Sequence, residues 1–369
     1  MTRALDVDTL RTWLDEHRPV TIVDIRNADA RAEWSIPGSR HVDAPDVVRT
    51  GDPGPLATVD LPVDRPVVAV CNLGRTSQAA ADVLDRRGFD AWTLTGGMQA
   101  WSLAWNVADV PIASSAARVL QVRRTGKGCL SYLVGSHGEA AVVDPSVEAD
   151  VYLDLAARAG WRIRHVLDTH VHADHLTRAG ALVARTGATP WLADTDRVRY
   201  PHERLTDGQR LTIGGATLTA MRTPGHTPES TTILLDGHVA AFTGDTLFAS
   251  SVGRPDLKAD AAGARERARR LFGSLRALAA LPSETVILPG HTGEPIAFDG
   301  VPIAARLGDV LGWLRDWLSS EDAFVDRVLA HLPDTPPNYA RIVALNEAGE
   351  AAANPVELEG GANRCAIGR

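Results

Sequence analysis

Short apolar runs bounded by polar turns recur along the first hundred residues. Segments 21–25, 66–71 and 91–95 predict strands, since four to six consecutive apolar or β-branched residues between turn residues are the pattern of a buried strand. Between them, 76–87 and 97–105 repeat apolar residues every three to four positions and predict helices. Strand and helix in alternation predict a small α/β domain with a mostly parallel sheet. The periodicity then lapses: 107–117 carries Pro111, Ser114, Ser115 and small residues, and predicts a linker between a domain at 1–112 and a second at 118–369.

In the second domain, strand patterns fall at 130–134, 140–143 and 163–167, and again at 211–220, 231–235, 239–242 and 286–288. Helical patterns fall at 151–159 and 261–281. Strands followed by a helix, twice over, predict an αββα sandwich. A helical stretch at 303–318 and a Pro-rich one at 332–337 predict a tail packed on this domain, and no internal repeat or low-complexity tract interrupts the chain.

Composition narrows the function classes. At 369 residues the chain exceeds one ordinary domain of about 150, and 44% hydrophobic with 23% charged residues is a folding, globular balance. No apolar run approaches the 18 or so residues of a membrane span, and the first 17 residues interleave Arg3, Asp6, Asp8 and Arg11 with apolar positions, unlike a signal peptide. A net charge of -8, with Lys127 and Lys258 the only lysines and no basic patch, argues against nucleic acid as a partner. Three widely separated cysteines, Cys71, Cys129 and Cys365, are no disulfide framework, so the expected compartment is a reducing cytoplasm.

The first chemical constellation is Cys71-Asn72-Leu73-Gly74-Arg75-Thr76-Ser77, which leaves the apolar run Val67-Val68-Ala69-Val70 and enters a helix. Loop N–H groups and the positive end of a helix stabilise a thiolate, the nucleophilic form of cysteine. With Val23-Asp24-Ile25-Arg26, Ile36-Pro37-Gly38-Ser39 and Thr95-Gly96-Gly97-Met98-Gln99-Ala100-Trp101 in the same order, segment 20–112 resembles a rhodanese (sulfurtransferase) domain. The resemblance implies that Cys71 carries a sulfane sulfur as a persulfide. Rhodanese loops commonly have Arg at the sixth loop position; here that position is Thr76, and Arg75, one place earlier, is the candidate substrate-binding residue.

The second constellation is Asp168-Thr169-His170-Val171-His172-Ala173-Asp174-His175, set where a strand pattern ends, followed by Pro224-Gly225-His226, Thr243-Gly244-Asp245-Thr246 and Pro289-Gly290-His291. Three His and an Asp within six residues are too polar for a core, and each later motif follows a strand-like run, so loops at one sheet edge can converge on a metal. The H-x-H-x-D-H set with a later His, Asp and His resembles the metallo-β-lactamase superfamily over 118 to about 295.

That resemblance implies two alternatives. In dinuclear hydrolases of the glyoxalase II type, His170, His172, Asp174, His175, His226, Asp245 and His291 all bind two metals, commonly zinc, that generate hydroxide. In the persulfide dioxygenase type only the counterparts of His170, His226 and Asp245 bind, a two-His, one-carboxylate set suited to one Fe(II) per chain, while His172, Asp174, His175 and His291 support them. Thr246-Leu247-Phe248 and Gly253-Arg254-Pro255-Asp256-Leu257 resemble bacterial persulfide dioxygenases, including those fused to rhodanese domains.

The expectation is therefore a dioxygenase that converts a low-molecular-weight thiol persulfide and O₂ to sulfite, coupled to sulfane-sulfur transfer at Cys71. Arg254 is expected either to anchor a substrate carboxylate or to hold the active-site loop. Cys129 is expected to be a packing residue, and Cys365 approaches the metal site if the tail folds back. The partners implied are the thiol persulfide, O₂ and a sulfane-sulfur donor or acceptor, with homo-oligomers left open. Direct passage of sulfur from Cys71 to the metal site requires the two domains to face one another.

Overall fold

The computed structural model describes residues 3–46, 51–193, 195–361 and 363–367. Strands β1 (Arg3–Leu5), β2 (Thr21–Asp24), β3 (Arg40–His41), β4 (Val67–Val70) and β5 (Ala91–Leu94) form a sheet ordered β1-β5-β4-β2-β3. Every pairing in it is parallel. Its core strand β4 is Val-Val-Ala-Val, buried throughout, because helices cover both faces of the sheet. The covering helices are Val7–Asp15, Ala28–Glu33, Thr76–Arg86 and Gly97–Trp101.

The rest of the chain builds two further sheets. Strands β6 (Asn106–Val110), β7 (Arg118–Arg124), β8 (Cys129–Ser136), β9 (Glu139–Val143), β10 (Arg162–Asp168), β11 (Thr189–Ala193) and β12 (Glu203–Leu205) lie side by side in reverse chain order. Opposite them run β13 (Arg210–Ile213), β14 (Ala216–Arg222), β15 (Thr231–Leu235), β16 (Ala240–Gly244), β17 (Val286–Pro289) and β18 (Ala305–Arg306). Their inner faces share one apolar core that includes Tyr132, Val143, Leu167, Ile233, Phe242 and Leu288. Helices Ala149–Ala159 and Ala179–Thr186 cover one outer face, and Ala261–Ala279, Leu307–Trp317 and Glu321–Ala330 the other. This is the expected αββα sandwich.

Several expectations are corrected. The supposed linker 107–117 begins inside β6, which pairs antiparallel with β7 and so belongs to the second sheet. Its five residues, Asn-Val-Ala-Asp-Val, bury positions 106, 108 and 110, an alternation too short to stand out against the small and Pro-rich residues that follow. The single strand expected at 211–220 is a hairpin, β13 and β14, turned at Gly214-Gly215. The helix expected over 97–105 stops at Trp101. After Trp317 the tail is mostly helical, with Tyr339–Ala348 and Pro355–Glu359 following Glu321–Ala330.

Parallel pairing fixes where chemistry collects. Because β9 and β10 run parallel, and β16 and β17 likewise, the carboxyl ends of all four open at one edge of the sandwich. The tail is laid over that edge: Asn346 donates from Nδ2 to the carbonyls of His172 and His175, and Leu176 N–H donates to Glu359 at 2.6 Å. The first domain abuts the same region. Arg124, buried on β7, donates to the carbonyl of Ser102 at 2.7 Å and to Glu359 at 2.8 Å. Arg364 of the tail meets Glu33 at 2.6 Å. Among the described residues no helix is long and apolar enough to cross a membrane.

Candidate functional site

His170 follows the end of β10, His226 the turn after β14, and Asp245 the end of β16. Their ligand atoms, all buried, lie within 4.8 Å of one another. His170 Nε2 is 3.9 Å and His226 Nε2 3.6 Å from Asp245 Oδ2. Each ring is aimed by its other nitrogen. His170 Nδ1 bonds Thr169 Oγ1 at 2.9 Å, and that hydroxyl donates onward to Asp144 at 2.8 Å, so Nδ1 carries the proton and Nε2 a lone pair. His226 Nδ1 donates to the backbone carbonyl of Arg254 at 2.7 Å, with the same consequence.

Gly244 permits this approach: its φ is +49°, and a Cβ there would lie 2.4 Å from Thr169 Oγ1, the group that orients His170. Burial, with His172 next, holds His170 well below the usual histidine range, and burial lowers His226 too. Burial by itself would raise Asp245, but His291, His170 and His226 together hold its carboxyl well below the usual range. Two neutral imidazoles thus face one carboxylate. His170 Nε2 and Asp245 Oδ2 are fully buried without a hydrogen-bond partner, which costs about 1–3 kcal/mol per group unless a ligand lies between them. A divalent cation fits this donor set.

The other four predicted residues are buried nearby with different partners. His172 faces Asp144 and Asp168 with Nε2, at 3.3 and 3.7 Å, and both its ring nitrogens are buried without a hydrogen-bond partner. Burial opposes its protonation, but Asp144 and Asp168 outweigh this and raise it well above the ordinary value. His291 bridges two carboxylates, Nδ1 to Asp245 at 2.5 Å and Nε2 to Asp174 at 2.7 Å. Against the effect of burial, Asp174 and Asp245 hold it protonated. His175 Nδ1 bonds Asp174 at 3.1 Å, and its Nε2 is buried without a partner.

Sequence reasoning missed several participants. Cys129, expected to be packing, donates to Asp174 at 3.2 Å and joins Asp174, His175 and His291 in one cluster. Burial and Asp174 push its thiol up and His175 and His291 pull it down, leaving it at about 7. The tail does fold back: Asn363 donates to Asp174 at 3.0 Å, and Cys365 groups with Asp245 and His291. Asp144, after a predicted strand, carried a positional signal, and Cys365 was expected near the metal site if the tail folded back; Asn363 carried none, being local to nothing in the motif.

The Arg254 guanidinium is engaged by protein groups. Only 1% exposed, it grips Asp256 through Nε and one terminal nitrogen and donates through the other to the carbonyls of Asp334 and Arg364. These contacts are those of a loop anchor and a salt bridge: the guanidinium ties the loop to the tail, and the backbone carbonyl orients His226.

Cys71 sits just past β4, 6% exposed, at the floor of a cleft of about 280 Å³ lined by Ile25, Asn27, Ala30, Leu73 and Arg75. Gly74 N–H and Ser77 N–H point at its sulfur, at 3.1 and 3.4 Å, with Ser77 Oγ also 3.4 Å away. Burial pushes the thiol up, and the Ser77 hydroxyl with the N–H groups of Ser77, Leu73 and Gly74 more than offsets this, so it titrates below the ordinary value. Arg75, exposed on the rim, begins the helix Thr76–Arg86.

Two family models match the chain: the Rhodanese-like domain over 6–104 and the Metallo-beta-lactamase superfamily over 124–291. A hydroxyacylglutathione hydrolase of Anaeromyxobacter dehalogenans is 35% identical over 51% of this chain and 74% of its own length. That of Methylococcus capsulatus is 38% identical over 42% of this chain and 57% of its own, so the chain spans little more than half of that relative. Among solved structures, ETHE1 from Myxococcus xanthus superposes with a TM-score of 0.53 at 26% identity, covering 67% of this chain and 100% of that one.

Proposed function

Because the chain belongs to the metallo-beta-lactamase superfamily and carries a rhodanese-like domain ahead of it, an enzyme fold, we propose that it is a persulfide dioxygenase coupled to a sulfurtransferase. Its substrate is a low-molecular-weight thiol persulfide of the glutathione persulfide type, oxidised on its outer sulfur with O₂ and then hydrolysed by water to sulfite and the free thiol. The observation that carries this reading is that the buried ligand atoms of His170, His226 and Asp245 converge within 4.8 Å in a group that does not include His172, whose Nε2 faces Asp144 at 3.3 Å. In this reading His291 supports the centre by bonding Asp245 through Nδ1 and Asp174 through Nε2.

His170, His226 and Asp245 would hold an Fe(II) ion, which would supply redox chemistry toward O₂ and the persulfide sulfur. The chain's own groups do the rest. Thr169 with Asp144 and the Arg254 carbonyl keep both imidazoles aimed, and the His291 bridge fixes the Asp245 carboxylate with Oδ2 turned to them. Burial of His170, His226 and Asp245 strengthens the electrostatic interactions among them. In the first domain, the N–H groups facing Cys71 stabilise a thiolate leaving group. That allows sulfane sulfur to be loaded onto a thiol or combined with sulfite as thiosulfate.

A second reading, a dinuclear zinc hydrolase of thioesters, is favoured by the hydrolase names of the relatives and by the partnerless His175 Nε2. One experiment separates the two. Protein reconstituted anaerobically with Fe(II) is given glutathione persulfide while oxygen uptake and sulfite are followed. Uptake matched by sulfite, and lost in His226→Ala, is the expected result. No uptake, with S-lactoylglutathione hydrolysed by zinc-loaded protein, would move the second domain to the hydrolase branch.

A further inference from the structure

A buried charge without a counter-ion stands at the boundary of the two domains. Lys127, in the turn between β7 and β8, is 3% exposed, and among the described residues its ammonium has no hydrogen-bond or ion-pair partner. The buried arginines behave otherwise: Arg26, Arg123, Arg124, Arg178 and Arg254 each meet a carboxylate at 3.1 Å or less. A cation taken out of water without an anion is costly, and an unpaired one marks a place where a ligand can supply the anion.

The same turn gathers hydrogen-bond donors that lack acceptors. Thr125 Oγ1, two residues before Lys127, is fully buried without a partner, and so are Trp34 Nε1 and Trp101 Nε1. Both indoles belong to residues that touch the turn: the Trp34 ring would lie 3.1 Å from a Cβ on Gly128, and the Trp101 carbonyl 1.8 Å from one on Gly126. The turn also has a functional centre on each side. Trp101 ends the helix Gly97–Trp101, whose Met98 N–H donates to the Cys71 carbonyl at 2.8 Å. Gly128 accepts from Thr292 N–H at 2.9 Å, and Cys129 pairs across to His291.

Donors without acceptors around a cation without an anion complement a small oxyanion, whose oxygens accept several hydrogen bonds at once. So enclosed a side chain suits an ion of that size better than the arm of a glutathione-sized thiol. We propose that Lys127, with the Thr125 hydroxyl, binds a small sulfur oxyanion, sulfite, at the domain boundary. The identity of the anion rests on the dioxygenase reading above, in which sulfite is the product; the need for an anion rests on Lys127 and the donors around it. A site there holds the product between the centre that forms it and the domain that carries sulfane sulfur.

The test uses the full chain, kept anaerobic so that sulfite is not oxidised, with unfolding midpoints followed against sodium sulfite, thiosulfate and sulfate at matched ionic strength. A ligand of the native state raises the midpoint with its concentration. Sulfite should do so in the parent, and the concentration needed should rise about tenfold or more in Lys127→Met, as expected when a hydrogen bond to a charged group is lost. Lys127→Arg should keep the shift. Without added anion Lys127→Met should unfold no lower than the parent, because it removes an unpaired buried charge; a lower midpoint would make Lys127 a structural residue and overturn the site. Equal sulfite shifts in parent and Lys127→Met would overturn it too, and sulfate or thiosulfate acting as strongly as sulfite would overturn sulfite as the ligand. None of these outcomes bears on oxygen uptake with glutathione persulfide, whereas a Lys127-dependent shift without any uptake would overturn the dioxygenase reading and leave an oxyanion site.

Discussion

His226 gives its Nδ1 proton to the backbone carbonyl of Arg254 at 2.7 Å, and the guanidinium of that same Arg254 holds Asp256 and the carbonyls of Asp334 and Arg364. One residue thus joins the aim of a metal-facing imidazole to the docking of the tail. Arg254→Met keeps the carbonyl and removes the anchor. It should cost on the order of 3 kcal/mol, since it leaves the mostly buried Asp256 without its cation. It should also speed alkylation of Cys365 in the folded protein. Denaturant midpoints and the rate of Cys365 labelling check this; unchanged labelling would separate the tail's docking from Arg254.

The metal set makes a stoichiometric prediction. His172 lies with Asp144 and Asp168, so His172→Asn should leave bound metal near one per chain, whereas His226→Ala should weaken retention far more than the 10–100-fold typical of an outer-sphere change. Elemental analysis after dialysis reads both. Equal metal loss in the two variants, or two metals per chain in the parent, would place His172 among the ligands.

At the other end of the sulfur path, Ser77 is the adjustable group. Its hydroxyl and N–H both face Cys71, and the thiol titrates below the ordinary value as a result. Ser77→Ala keeps the N–H and removes the hydroxyl, so the pH midpoint of Cys71 alkylation should rise toward about 8.5. Sulfur transfer at neutral pH should fall in parallel. Cys71→Ser should abolish transfer while leaving oxygen uptake on supplied glutathione persulfide intact.

Glu359 supplies a pH signature. Its carboxylate, with no exposed side-chain surface, bridges Arg124 and Arg178, and although burial raises it, the two arginines hold it at about 2 against an ordinary 4.5. A depressed folded value means that the stabilisation is fully present above pH 4.5 and is lost as pH falls toward about 2. Glu359→Gln should lower stability at neutral pH by about 3–5 kcal/mol, by leaving the buried Arg124 guanidinium without its anion and Arg178 with Glu148 alone. The gap between parent and variant should close on acidification through that window. Urea unfolding of both at several pH values checks it; a gap independent of pH would assign the effect to packing.

Much of this protein is legible in the order of its residues. The strand runs of the first sheet, the Cys71 loop and the H-x-H-x-D-H cluster are contiguous signals, each carried by residues that a local backbone brings together. Parallel strands opening at one edge follow from the alternation of strand and helix, and with them the convergence of His170, His226, Asp245 and His291. What the order of residues does not carry is which partner each polar atom takes. His172 and His170 are two residues apart, yet Asp144 from another strand draws one away while Thr169 aims the other inward. Arg254 looks free in sequence and is fully engaged by residues 80 and 110 positions distant. Strand β6 is fixed by β7 rather than by its own weak alternation, and Cys365 reaches the centre through the tail's backbone bonds to Arg254 and Val252. A hydrogen bond or ion pair discriminates over a few ångströms, and such distances between remote residues exist only once the chain has folded.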